Sequence, residues 1–254
     1  MNTYRTFLQW SSQTISWHKE SVHPMLLKYF DVAVDSTSHV GGSNGKNLKV
    51  LVPLCGKTVD MKFLAEACVT SHVYGVDGVS QALETFSKQN PSLEISSDFV
   101  AGYFGTYERM EGDGISLLHG DFFALEPREI GNEKIDVVWD RASMVAIRPE
   151  LREDYVETMR RMVRPGGVIL LVTLERREGT EDAKVRGPPF SISEQTVRSF
   201  YGGRSWVESI VKLDEVNDFI VNPGSKQRWL SQGLTGMYEL CFIIKIKEDS
   251  DERV

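Results

Sequence analysis

The chain has 254 residues, 41% hydrophobic and 26% charged, which suits one large α/β domain with a sizeable core. Its formal net charge of −7 argues against a sequence-independent grip on nucleic acid, which needs a basic face. No run reaches the ~18 apolar residues of a membrane span, and the N-terminus, with Arg5, His18 and Lys19, lacks the apolar centre of a signal peptide. Cys55, Cys68 and Cys241 are odd in number and far apart, so they read as reduced thiols of a cytoplasmic protein. No Cys/His cluster has zinc spacing, and no metal is expected.

In chain order, one helical stretch and the Ser- and Gly-rich Asp35–Asn47 precede the first strand, Leu48–Leu54. Residues 1–47 are expected to form an N-terminal helical cover over one domain that spans residues 1–254. Thr58 is placed to cap a helix carrying Met61, Leu64, Ala65 and Cys68 at helical spacing. Ser71–Val76 is the second strand, and Ser80 is placed to cap a helix with Ala82, Leu83 and Phe86 on one face. The polar Ser96–Gly114 stretch reads as loop or irregular hairpin. Ile115–His119 and Ile135–Trp139 are further strands. Pro149 starts a helix with Leu151, Tyr155, Met159 and Met162 on one face. After the turn Arg164–Gly167, Val168–Leu174 has the continuous apolar character of a strand covered on both faces. Ser191 and Glu194 have capping-box spacing, Trp206–Leu213 and Tyr238–Ile246 are late strands, and residues 248–254 are a charged, frayed tail. The fold expected is α/β, a doubly wound, Rossmann-like, parallel-dominated sheet.

The pentapeptide Pro53-Leu54-Cys55-Gly56-Lys57 follows the first strand, and Asp77 ends the second, twenty residues beyond Lys57. A strand, a glycine turn and a helix build a nucleotide-type pocket, and an acid at that distance can accept both ribose hydroxyls of a nucleoside. The G-x-G-x-x-G set of a dehydrogenase is absent, as is the P-loop spacing that would make Lys57 a phosphate ligand. Gly120-Asp121-Phe122-Phe123-Ala124-Leu125, Trp139-Asp140-Arg141-Ala142 and Gly187-Pro188-Pro189-Phe190 follow in order. With the pentapeptide, they resemble the thiopurine S-methyltransferase family from about Trp10 to about Lys247.

The resemblance implies a seven-stranded methyltransferase sheet and S-adenosylmethionine as cofactor, with S-adenosylhomocysteine as product. It implies cofactor binding by Trp10, Leu54, Gly56, Asp77, Asp121, Phe122 and Arg141, with Asp77 standing where much of the family has glutamate. It places Trp17, Pro189, Phe190 and Arg228 at the substrate, and gives Arg141 the catalytic role of favouring a thiolate. The family's first N-terminal tryptophan is missing, Thr6 or Phe7 being found in that region. The reaction implied is S-methylation of aromatic or heterocyclic thiols such as thiopurines. Small nucleophiles (halide, thiocyanate, sulfide, selenium or tellurium species) are the alternative acceptors. A monomer binding a small molecule, with no nucleic-acid or membrane partner, is expected.

Each residue also has a plainer reading. Asp77 could cap the second helix, Phe7, Trp10 and Trp17 could be the apolar face of a packed helix, and Arg141 could be a structural ion pair. Trp139 reads as core, His119 as a hydrogen-bonded histidine, and Cys55 as a small buried filler. Arg160, Arg161 and Arg164 read as a solvated helix face.

Overall fold

The structure is a computed structural model and describes residues 19–38, 48–102 and 105–249. Helix α1 (Pro24–Ser36) begins with a proline in its first turn, where no donor is missed, and the His23 ring accepts from the Met25 N–H at 3.3 Å. Met25, Leu26, Phe30, Ala33 and Val34 lie on its buried side. Within residues 19–38, α1 sets this apolar stripe against the sheet.

The apolar runs become β1 (Leu48–Pro53), β2 (Thr70–Asp77), β5 (Ile115–His119), β6 (Ile135–Arg141) and β7 (Val163–Gly179), which pair in parallel. Two strands not separately foreseen, β3 (Val100–Ala101) and β4 (Glu108–Gly112), form an antiparallel hairpin on β5. At the other edge β9 (Leu234–Ile246) lies antiparallel between β7 and β8 (Val207–Asn217). The order is β3-β4-β5-β2-β1-β6-β7-β9-β8, nine strands instead of the expected seven. The extra hairpin is the Ser96–Gly114 stretch. Met110 is the one buried side chain of β4, so its sequence shows no apolar alternation.

One face of the sheet, with Leu51, Val138, Ile169 and Leu171, packs under α4 (Arg152–Met162) and α6 (Glu194–Tyr201). The other, with Val50, Val52, Val137, Trp139 and Leu170, packs under α1, α2 (Asp60–Glu66) and α3 (Ser80–Gln89). Short helices α5 (Glu181–Val185), α7 (Asp218–Val221) and α8 (Pro223–Leu230) gather beyond the end of β7 around a smaller apolar cluster. Among the described residues no helix is long and apolar enough to cross a membrane.

Several ends differ from the sequence reading. Ser193, not Ser191, caps α6 by accepting from the Thr196 N–H at 3.1 Å. Ser191 instead accepts from the Arg176 N–H at 3.0 Å. Val59 and Val79 are the cap residues of α2 and α3, although Thr58 accepts from the Asp60 N–H at 3.4 Å. A 3-10 turn, Pro149–Leu151, precedes α4; Leu151 is exposed and Val156 joins the buried side. The Arg164–Gly167 turn is absorbed into β7 as an irregularity in its pairing with β6. The three basic residues there are engaged: Arg160 pairs with Glu157, Arg164 with Asp136, and Arg161 donates to the Leu125 carbonyl at 2.8 Å and to that of Phe123.

Strand order reverses between β1 and β6, since β1 continues to β2 on one side while β6 lies on the other. In such sheets the crevice outside the carboxyl ends at that reversal is where ligands bind.

Candidate active site

The crevice floor starts with Leu54 and Gly56, at φ 44° and 56°. Glycine occupies the left-handed region without strain, and this bend aims the Gly56 N–H at Asp77 Oδ2, 2.8 Å away. Asp77 Oδ1 accepts from the Val79 N–H at 2.8 Å. The acid thus does what its plainer reading proposed, fixing the start of α3, while it also bridges to the glycine turn. Burial pushes its carboxyl up to about 6, against the pull of the Gly56 and Val79 N–H groups. Two carboxylate oxygens offer about four acceptor positions, so capacity remains for ribose hydroxyls.

Across the crevice β6 ends in Asp140 and Arg141, followed by Ala142 at φ 65°. Ser143 Oγ donates to the Pro53 carbonyl at 2.6 Å and ties the two walls together. Asp140 is fully buried, accepts from Tyr155 O–H at 2.9 Å and from the Met144 N–H at 3.3 Å, and is pushed up to about 6 by burial. Arg141 is half-buried; burial lowers its pKa, and Glu239, Asp60 and Asp218 oppose that. Asp60 also accepts from the His23 N–H at 2.8 Å and from Trp139 Nε1 at 2.9 Å. His23 Nε2 and Lys19 Nζ lie 3.4 Å and 3.7 Å from the Glu239 carboxylate. Burial alone would raise Glu239, but His23, Lys19 and Arg141 overcome it and draw the carboxyl down to about 2.

On the rim, Asp121 is exposed and accepts from the Phe123 N–H at 3.1 Å. The Phe122 ring is buried, 5.2 Å from that of Tyr155, so it faces the core beneath this rim. Pro189 and Phe190 are half-buried, both peptide bonds of Gly187-Pro188-Pro189 are cis, and the Phe190 N–H donates to the Val145 carbonyl at 2.7 Å. That bond sets this segment beside the loop that follows Arg141. Arg228 is exposed on α8 with its guanidinium 4.8 Å from the Trp229 ring. Trp10 and Trp17 lie outside the described residues. Cys55 is buried with its thiol pKa well raised by burial, as a filler should be, and Trp139 is core. His119 is half-buried and 2.9 Å from Glu108.

Leu54, Gly56, Asp77 and Arg141 are therefore brought together around one crevice, with Asp121 and Phe190 on loops that flank it. His23, Asp60, Ser143 and Glu239 escaped the sequence reading. Glu239 alone carried a signal, an acid within the apolar run Tyr238–Ile246 of a strand covered on both faces.

Solved structures with this fold include a phosphoethanolamine N-methyltransferase of Haemonchus contortus in complex with S-adenosylhomocysteine, at TM-score 0.54 and 14% identity over 82% of this chain and 51% of that one. Another is TehB of Haemophilus influenzae, at TM-score 0.52 and 14% identity over 91% and 64%. The Rossmann-like sheet, with a glycine turn after β1 and an acid ending β2, suits a nucleoside cofactor, and with the family match and named relatives that follow, the class is that of an S-adenosylmethionine-dependent methyltransferase. Residues 7–240 match the thiopurine S-methyltransferase profile, and the chain belongs to that family. A Nitrosospira multiformis thiopurine S-methyltransferase is 33% identical over 236 residues, covering 93% of this chain and 94% of the relative. One from Legionella pneumophila is 33% identical over 218 residues, covering 85% and 89%. The crevice fits the cofactor: an acid with spare acceptor capacity faces a left-handed glycine turn, and a cationic side chain closes the opposite wall.

Proposed function

We propose that the protein methylates the sulfur of aromatic or heterocyclic thiols, thiopurines among them. Carrying this reading is Arg141, a half-buried cation at the end of β6 just before the loop on which the Phe190 N–H is anchored, in a chain whose relatives are named for that activity. S-adenosylmethionine supplies a methyl group activated by its sulfonium. Asp77 would hold the ribose hydroxyls, Leu54 and Gly56 the methionine part, and Asp121 the adenine amine, with Phe122 beneath and Trp10 covering. Arg141 favours the thiolate of the acceptor by opposite charge. An aromatic thiol ionises near or below neutral pH, so no strong general base is required. Phe190, Pro189 and Trp17 would form the wall that orients the acceptor for in-line attack and excludes water.

Turnover of Arg141→Lys and Arg141→Ala against pH, with labelled S-adenosylmethionine and thiophenol, tests the assignment. The expected result is a loss of tenfold or more for the alanine variant, with the acid limb moved to higher pH as thiolate becomes harder to form. A near-normal rate with an unmoved limb removes Arg141 from this role. Native protein that turns over only sulfide, iodide or selenite transfers the activity to small nucleophiles.

A further inference from the structure

At the β3–β4 end of the sheet, Glu111 of β4 lies opposite Ser116 of β5, and Arg109 lies opposite Leu118. Ser116 is in turn opposite Tyr74 of β2. Side chains alternate along a strand, so these residues share one face with His72, two positions before Tyr74. Elsewhere that face packs under α4 and α6; over this corner the chain runs as a 3-10 turn, Pro127–Ile130, too short to cover three strands. Between turn and sheet lies a cavity of about 300 Å³, near the lower end of the range for small-molecule sites. None of its lining residues belongs to the crevice around Asp77 and Arg141. His72 stands five residues back along β2 from Asp77, about 16 Å at the usual rise of a strand.

Much of the polar lining is satisfied within the protein. Ser116 donates to Glu111, and Glu111 pairs with Arg109 Nη1 at 3.0 Å. His72 Nε2 is 2.7 Å from Ser116 Oγ. Since the Ser116 hydrogen goes to Glu111, the His72 ring is the donor in that bond. Glu133, exposed at the edge of the cavity, pairs with Lys49. Glu129 differs from all of these. It is 2% exposed and lines the cavity, yet among the described residues neither of its carboxylate oxygens has a hydrogen-bond partner. Arg128 Nε stands 3.4 Å from Glu129 Oε1 as an ion-pair contact, with half of the Arg128 side chain in solvent. Taking a carboxylate out of water is costly unless hydrogen bonds replace those it loses. Glu129 is therefore the part of the lining that calls for a donor.

The carboxylates of Glu111, Glu129 and Glu133 line the cavity against the single guanidinium of Arg109, so the balance favours a cation. Among the described residues no group of three or more His, Cys, Asp and Glu side chains could hold a metal ion, which leaves an organic cation. Both oxygens of Glu129 can accept, and that suits two parallel N–H donors on a planar ion. Tyr74, Leu118 and Ile130 supply the apolar part of the lining. Such a surface suits a weakly hydrated, planar cation better than a strongly hydrated ammonium. We infer that this cavity is a second ligand site, in which Glu129 holds a small planar organic cation of the amidinium or guanidinium type through both of its oxygens. The site stands whatever acceptor the crevice takes.

Benzamidine, benzylamine and benzamide carry an amidinium, an ammonium and a neutral amide on the same ring. Each is titrated by calorimetry into native protein saturated with S-adenosylhomocysteine, so that the crevice is occupied. Native protein is expected to bind benzamidine at least tenfold more tightly than either of the others. Glu129→Gln keeps the shape and removes the charge, and should bind benzamidine at least tenfold more weakly with its affinity for S-adenosylhomocysteine unchanged. Glu133→Lys, at an exposed position, should weaken benzamidine about threefold, and it decides the matter if the Glu129 variant does not fold. Equal binding of the three compounds to native protein overturns the inference, as does no binding, a preference for benzylamine, or an unchanged benzamidine affinity in a folded variant. Benzamidine that binds only when S-adenosylhomocysteine is left out belongs to the crevice, and that result overturns the inference as well.

Discussion

Asp77 carries the most consequence of any single carboxyl group. Its folded pKa, about 6, lies above the ordinary carboxylate value because burial disfavours the charge. A raised carboxyl contributes stability that is fully present below its unfolded value, near 4, and is lost as pH rises through about 6. In the ribose role proposed for Asp77, ligand binding has the opposite sign, since two hydroxyl donors need the ionised form. Affinity for S-adenosylhomocysteine should therefore fall as pH drops below about 6, and Asp77→Asn should bind weakly with that pH dependence flattened. Calorimetry from pH 5 to 8 checks both; an affinity independent of pH in the native protein would take the ribose away from Asp77. This residue was legible in the sequence because strand, turn and acid follow in order. Arg176 was not: between Glu175 and Arg177, which pair with each other near the end of β7, it looks like one more charge at a strand end. Only the packing of Trp229 over it shows that it is buried.

Among the elements, α1, α2 and β6 meet at one buried carboxylate. Asp60, the first residue of α2, is 2% exposed and satisfies both the N–H before α1 and the indole N–H of β6. Asp60→Ala strands two buried donors, each costing about 1–3 kcal/mol, so a loss of about 3 kcal/mol is expected. The midpoint of urea unfolding should move by that amount with an unchanged slope; a shift below about 1 kcal/mol would mean that the donors find other partners. The strands of the central sheet were readable because burial on both faces leaves continuous apolar runs. The β3–β4 hairpin was legible only as one of two readings, loop or irregular hairpin, because an edge with one buried side chain has no period to detect. The helix caps were displaced by one or two residues for a related reason: Ser191 and Ser193 carry the same chemistry, and the pull of the β7 backbone decides which of them is free to cap.

For the molecule as a whole, the expected gain on binding is arithmetic. S-adenosylhomocysteine at a hundredfold excess over its dissociation constant adds about 2.7 kcal/mol. For a chain of this size that raises Tm by about 5–10 °C, readable by calorimetric melting; no upward shift would mean that the folded chain does not take the cofactor. The order in which the sheet is written has a further effect. Strand β8 has β9 as its one neighbour, and the edge of β7 that faces away from β6 is closed by that same strand. On a ribosome, both edges wait through the stretch from Asn217 to Ile246, roughly one to six seconds at ordinary elongation rates. During that interval the apolar edge of β7 and the whole of β8 are exposed together, a window in which a nascent chain is open to capture by a chaperone or by another unfinished copy. A late pause in translation would be costlier for this protein than an early one.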